Sequence, residues 1–272
     1  NDLDIRNALF RIGGWIRRGY DNQHPDILPA NHECGGDKAL AETSRRVIEL
    51  GYLFCLHDNY QDIYGDSPSW SEGLVAKGAD GSLVRGGLWA GGQAWIICSK
   101  MGLEMAQRPQ NLPGVKGLFK VNAYFIDTTF AAGLYECHDP AHPLTKWDDI
   151  NYKQALSDYA MALFGVFGSE CGKEWAIAHS HFFEGLAGVS GRYYHTFEPS
   201  SLGARVIPLF EMVYRDCISI YGKYDYDYSA AAEYVLHHIL IGRPLHYHSW
   251  RRGLYWKGAP GDEPLGRPYG AS

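Results

Sequence analysis

Residues 121 to 129 read VNAYFIDTT and residues 164 to 170 read FGVFGSE. Each is a short run of aromatic and aliphatic side chains that stops on an acid, Asp127 in the first and Glu170 in the second. Runs of this length, bounded by polar residues, read as buried strands. A carboxylate at the end of a buried strand costs free energy unless it meets solvent, a partner or a reaction. The reading of the chain turns on whether its other strands end the same way.

They do. Working outward, YLFCLHDN (52–59) ends on His57, Asp58 and Asn59, and LFRIGGW (9–15) ends on Trp15. QAWIICS (93–99) ends on Ser99, HFFEGLAG (181–188) carries Glu184, RVIPLFEMVY (205–214) carries Glu211, and RPLHYHSW (243–250) carries His246 and His248. Helical spacing fills the intervals. GGDKALAETSRRVIELG places Leu40, Val47, Ile48 and Leu50 before Gly51, and KMGLEMAQR, INYKQALSDYAMAL and SAAAEYVLHHILIG follow later. Eight strands alternating with helices over roughly 250 residues predict an α/β fold, a (β/α)8 TIM barrel, as one domain over residues 1–272. Residues 61 to 92, rich in Gly, Ser and Asp, form a long loop after the second strand, which suits a binding role better than a linker. A doubly wound open sheet is the rival, but the G-x-G-x-x-G fingerprint after the first strand is missing.

Composition narrows the partners. The 272 residues are 46% hydrophobic with a formal net charge of −6, so neither a nucleic-acid backbone nor an anionic membrane finds a basic face here. No apolar run reaches the roughly 18 residues of a membrane span, and NDLDIRNALF lacks the basic and apolar regions of a signal peptide. The compartment stays open: cytoplasmic, or, if the chain is trimmed, secreted or periplasmic. The six cysteines stand singly with no CxxC pair, which implies neither a zinc ribbon nor a disulfide framework. Eight Trp and nineteen Tyr suit a cleft for carbohydrate, whose apolar ring face packs on an aromatic while its hydroxyls seek hydrogen bonds.

In a barrel the polar ends of the strands converge at the C-terminal face. Asp127 on the fourth expected strand and Glu170 on the fifth are then neighbours. Two carboxylates about 5 to 5.5 Å apart serve a retaining glycoside hydrolase, whereas an inverting pair stands roughly 6.5 to 9.5 Å apart. We assign Asp127 as nucleophile and Glu170 as acid/base, with Glu184 and Glu211 in reserve. His57, Asp58, Asn59 and His246 are candidate sugar contacts, Trp15, Trp89 and Trp175 candidate stacking faces, and Lys120, before the nucleophile strand, a candidate basic partner.

HDNYQDIY (57–64), AYFIDTTFAAGLYECHDPAHPLTKWDD (123–149) and FGVFGSECGKEWAIAHSHFFEGLAG (164–188) resemble a bacterial family of glycoside hydrolases of unsettled specificity. That family is similar in layout to the retaining endo-α-N-acetylgalactosaminidases and the α-galactosidase-like barrels. The resemblance runs from about residue 9 to 256. It implies α-linked galactose-type or N-acetylhexosamine substrates, a nucleophilic Asp closing the fourth strand and an acid/base Glu after the fifth, matching FID at Asp127 and GSE at Glu170.

Two other readings compete. A metal-dependent barrel hydrolase would use the pairs His179/His181, His237/His238 and His246/His248, but such barrels carry HxH at the end of the first strand, where this chain has Gly-Gly-Trp. No metal or other cofactor is expected. A carbohydrate-binding barrel without turnover would keep the aromatics and lose the acid pair. Oligomeric state leaves no mark on the sequence.

Overall fold

A computed structural model describes residues 4–186, 209–221 and 231–242. Within them, six strands form one parallel sheet in chain order: β1 (Leu9–Ile12), β2 (Leu53–Asn59), then, past a small second sheet described below, β6 (Ala123–Asp127), β7 (Val166–Gly172), β8 (Phe182–Leu186) and β9 (Ser219–Tyr221). Sheet neighbours follow one another in chain order. α1 (Gly36–Glu49) links β1 to β2, α2 (Ser99–Ala106) and α3 (Leu112–Phe119) lead to β6, α4 (Lys146–Phe164) leads to β7, and α5 (Leu209–Tyr214) to β9. α6 (Ala231–Ile241) follows. The described helices α1, α3 and α4 pack on one face of the sheet.

Local chemistry explains the element ends. Thr145 opens α4 with a capping box in which its hydroxyl accepts from the Asp148 amide while the Asp148 carboxylate accepts from the Thr145 amide. Gly165, at φ 90°, closes the same helix where a side chain would be strained. Gly51, at φ 85°, plays the corresponding part between α1 and β2.

Alternation divides the strand residues between two cores. Phe54, Leu56, Tyr124, Ile126, Phe167 and Phe183 face the helices and join Val115, Phe119 and Phe164 in the larger one. Cys55, Ala123, Phe125 and Phe182, with Leu9, Leu53, Val166 and Tyr221 packed around them, form a smaller core on the opposite, concave face. The sheet is strongly curled. Arg11 on β1 forms a bidentate ion pair with Glu184 on β8, four strands away in sheet order. Four flat strand spacings of about 4.8 Å would hold those backbones roughly 19 Å apart.

Two expected barrel strands are placed differently. Residues 93 to 99 do not enter the parallel sheet. β5 (Gly92–Ile96) pairs antiparallel with both β3 (Asp62–Tyr64) and β4 (Arg85–Trp89) in a separate three-stranded sheet. Only Ala90 and Gly91 separate β4 from β5, and a two-residue connection makes a hairpin, never the crossover a parallel strand needs. The stretch from 61 to 92 is therefore largely part of this small sheet, and Asp127 and Glu170 close the third and fourth strands of the parallel sheet instead of the fourth and fifth. Residues 209 to 214, expected as strand, form helix α5, and the strand on that side is β9, which follows it. The expected strand at 243–250 lies outside the described residues. Six parallel strands thus make a curled half-barrel.

Candidate active site

Strand register stacks the inward residues in tiers. Arg11, Cys55, Ala123 and Val166 share the first. His57, Phe125, Gly168, Phe182 and Ser219 share the second. In that tier the His57 and Phe125 rings stack at 5.2 Å and the Phe125 and Phe182 rings at 6.2 Å. Gly168 makes this possible, because a Cβ there would sit 2.3 Å from the Phe182 ring. The tier is an aromatic floor.

Above the floor the face turns acidic. Asn59 is paired with Asp127, and Glu170 with Glu184. Asp127 and Glu170 each stand one residue past the Ile126–Ser169 pair, at the C-terminal ends of adjacent strands. The expected neighbours are neighbours.

Asp127 is anchored from below and from one side. The Tyr20 hydroxyl donates to its Oδ2 at 3.3 Å, and His57 Nε2 lies 3.3 Å from the same oxygen and 3.2 Å from the Tyr20 oxygen. The Tyr20 and His57 rings pack at 4.7 Å. Burial, and then the Asp127 charge, push the Tyr20 phenol well above its ordinary range, so it stays protonated and donates. These contacts restrict the rotation of the Asp127 carboxylate.

Glu184 has another task. Its two oxygens take both terminal nitrogens of Arg11, and the guanidinium lies 4.2 Å from the Phe125 ring centroid. Its side chain is 9% exposed. Glu211 sits buried on helix α5 and not at a strand end.

Asp58 points away from the acids. It is fully buried, accepts from the Tyr124 hydroxyl at 3.0 Å, and lies 3.4 Å from His24 Nδ1. Burial alone would lower the His24 pKa, but the Asp58 carboxylate together with the Asp21 and Asp62 charges outweighs it and the pKa is raised. Asn59 organises the turn into β3: its Oδ1 accepts from the amides of Gln61 and Asp62, and its Nδ2 donates to Asp62 Oδ2 at 2.9 Å. Burial raises the Asp62 pKa to about 7, against the lowering effect of the Asn59 bond, with Asp21 and Asp127 adding repulsion.

The remaining candidates disperse. Trp15 is core, its indole N–H donating to the His57 carbonyl at 2.7 Å and its ring set edge-on to Phe119. Trp175 is half-buried edge-on to Phe130. Trp89, at the end of β4, is 39% exposed. Lys120 is exposed at the C-terminal cap of α3, at the opposite end of β6 from Asp127. His179 pairs with Asp158 at 2.7 Å, while His181 Nδ1 accepts from the Phe167 amide, so this pair does not converge on one point. His246 and His248 lie outside the described residues, and of His237 and His238 only the second has a described side chain, buried on α6. A narrow pocket lined by Tyr60, Gln61, Ser99, Thr129, Tyr135 and Lys153 holds none of the strand-end acids.

Sequence reading missed Tyr20, Asp21, His24 and Asp62. The first three occupy the connection between β1 and the first helical turns, residues 13 to 31. Its length and polarity were a usable signal of the same kind as the 61–92 stretch.

No protein-family model and no curated protein matches the sequence. Solved structures do resemble the fold. The α-N-acetylgalactosaminidase NagBb from Bifidobacterium bifidum in complex with GalNAc matches with a TM-score of 0.71 and 25% identity over 78% of this chain. The ligand-free form matches with a TM-score of 0.78 and 24% identity over 90%, and the Gal-NHAc-DNJ complex with 0.76 and 24% over 92%. The chain spans 34%, 40% and 38% of those chains. The likeness supports a glycoside-hydrolase-like α/β fold. No described helix is long and apolar enough to cross a membrane.

Proposed function

We propose that this protein is a retaining glycoside hydrolase of α-linked N-acetylgalactosamine or galactose-type sugars, built as a complete (β/α)8 barrel, with Asp127 as nucleophile and Glu170 as acid/base. The observation that carries the reading is the shared level of the two acids, each one residue beyond the Ile126–Ser169 pair on adjacent strands. Adjacent parallel strands lie about 4.8 Å apart, a backbone spacing compatible with the short carboxyl separation of a double displacement. The likeness to an α-N-acetylgalactosaminidase that was solved with GalNAc supports the sugar class.

In this mechanism Asp127, oriented by Tyr20 and His57, attacks the anomeric carbon while Glu170 gives its proton to the departing oxygen. Glu170 then takes a proton from water as that water attacks the glycosyl ester and restores Asp127. The aromatic floor of His57, Phe125 and Phe182 excludes water beneath the acids.

The test is hydrolysis of 4-nitrophenyl α-N-acetylgalactosaminide and α-galactoside. The reading expects a bell-shaped pH profile for kcat/KM and a loss of about 10³-fold or more in Asp127→Asn with the fold intact. Activity unchanged in that variant would end it.

A further inference from the structure

Two cysteines that the sequence scatters meet a histidine away from the acids. Cys98 stands at the N-terminal cap of α2, and Cys137 and His142 flank a turn in the loop that follows β6. All three are buried. Their Sγ, Sγ and imidazole nitrogen atoms lie within 4.8 Å of one another.

The geometry has the dimensions of a coordination sphere. Tetrahedral zinc with arms of about 2.3 Å to sulfur and about 2.0 to 2.1 Å to nitrogen sets an S···N edge of about 3.5 Å and an S···S edge of about 3.8 Å. The Cys137 Sγ to His142 Nδ1 distance is 3.4 Å. The ring is also turned as a ligand would be. Its Nε2 lies 2.8 Å from the Gly73 carbonyl, which can only accept, so Nε2 carries the proton and Nδ1 presents its lone pair toward the sulfur. Two thiolates and a neutral imidazole cancel the charge of one divalent ion, which is what a buried site needs. Lys77 neutralises the nearby Asp139 at 2.7 Å, so no further net charge crowds the cluster.

We propose that Cys98, Cys137 and His142 supply three ligands of a zinc site. Soft thiolate donors beside imidazole select Zn²⁺ over Ca²⁺ or Mg²⁺. Binding releases the two thiol protons to solvent. The ion joins the start of α2 to the loop that follows β6, where the Cys137–Leu144 bridge already closes a turn.

The experiment uses reduced, metal-stripped protein with the exposed Cys34 and Cys217 replaced by serine. Co²⁺ titration should give thiolate-to-cobalt charge-transfer absorption and intense tetrahedral d–d bands saturating at one equivalent, all displaced by Zn²⁺. Cys137→Ser and His142→Ala should lose the spectrum, and Zn²⁺ should raise the Tm of the parent and not of these variants. If the variants fail to fold, the parent spectrum still decides. A parent with no charge-transfer band, with only octahedral cobalt, or with a Cys98–Cys137 disulfide that persists in reductant overturns the proposal.

Discussion

The Arg11 guanidinium grips both carboxylate oxygens of Glu184 across the inside of the curled sheet, joining β1 to β8. The pair spans the curl of the sheet and engages both oxygens of Glu184.

Breaking that pair should therefore cost stability. Arg11→Met or Glu184→Leu leaves one buried charge without its partner and should destabilise by about 3 kcal/mol, whereas the double variant should recover most of the loss. Urea unfolding of the three variants measures it. Additive losses would show that the pair is not coupled.

Tyr20 donates to the proposed nucleophile, so Tyr20→Phe removes a hydrogen bond to a charged group worth about 1.5 to 3 kcal/mol. A carboxylate without that donor is easier to protonate. The acidic limb of the pH–kcat/KM profile should move to higher pH and the maximum should fall about tenfold. An unmoved limb would place Tyr20 outside the reaction.

Stability should fall as pH rises between about 4 and 7. Asp62 has a folded pKa of about 7, held up first by burial, against about 3.9 unfolded. Its contribution is fully present below the unfolded value and is lost as pH rises through the folded one. His24, raised by Asp58 together with Asp21 and Asp62 against the effect of burial, adds a slope of the same sign above about pH 6.5. Asp62→Asn keeps an acceptor for Asn59 and loses the titration, so the variant should be flatter over this window and more stable than the parent at pH 8. Thermal melts from pH 4 to 8 read the difference directly.

Gly168 lets the Phe182 ring lie against the backbone, with a Cβ clash of 2.3 Å waiting for any side chain. Gly168→Val should destabilise by about 2 kcal/mol or more by displacing the stacked rings. A neutral effect in chemical denaturation would mean that the aromatic floor is not packed as described.

Strand periodicity disclosed the parallel core because β2, β6 and β7 are buried on both faces and read as unbroken apolar runs ending in polar residues. It failed at residues 93 to 99, whose composition is equally apolar. There the information lies in the two-residue turn at Ala90 and Gly91, a local constraint that outweighs composition. The acids Asp127 and Glu170 were legible because they interrupt apolar strands. Tyr20 and His24 were not, because a loop residue acquires its meaning only from the distant strand it folds against. The same holds for Cys98, which lies 39 positions before Cys137 with no spacing motif to join them.

The central claim is that Asp127 becomes glycosylated, and trapping that species tests it most directly. Glu170→Gln, incubated with 2,4-dinitrophenyl α-N-acetylgalactosaminide, has a leaving group that needs no proton, while its deglycosylation lacks the base. Peptide mapping should find one sugar residue bound to the peptide that contains Asp127, formed in a burst with the release of dinitrophenol. A burst with the sugar on another residue, or turnover with no covalent species, would contradict the account.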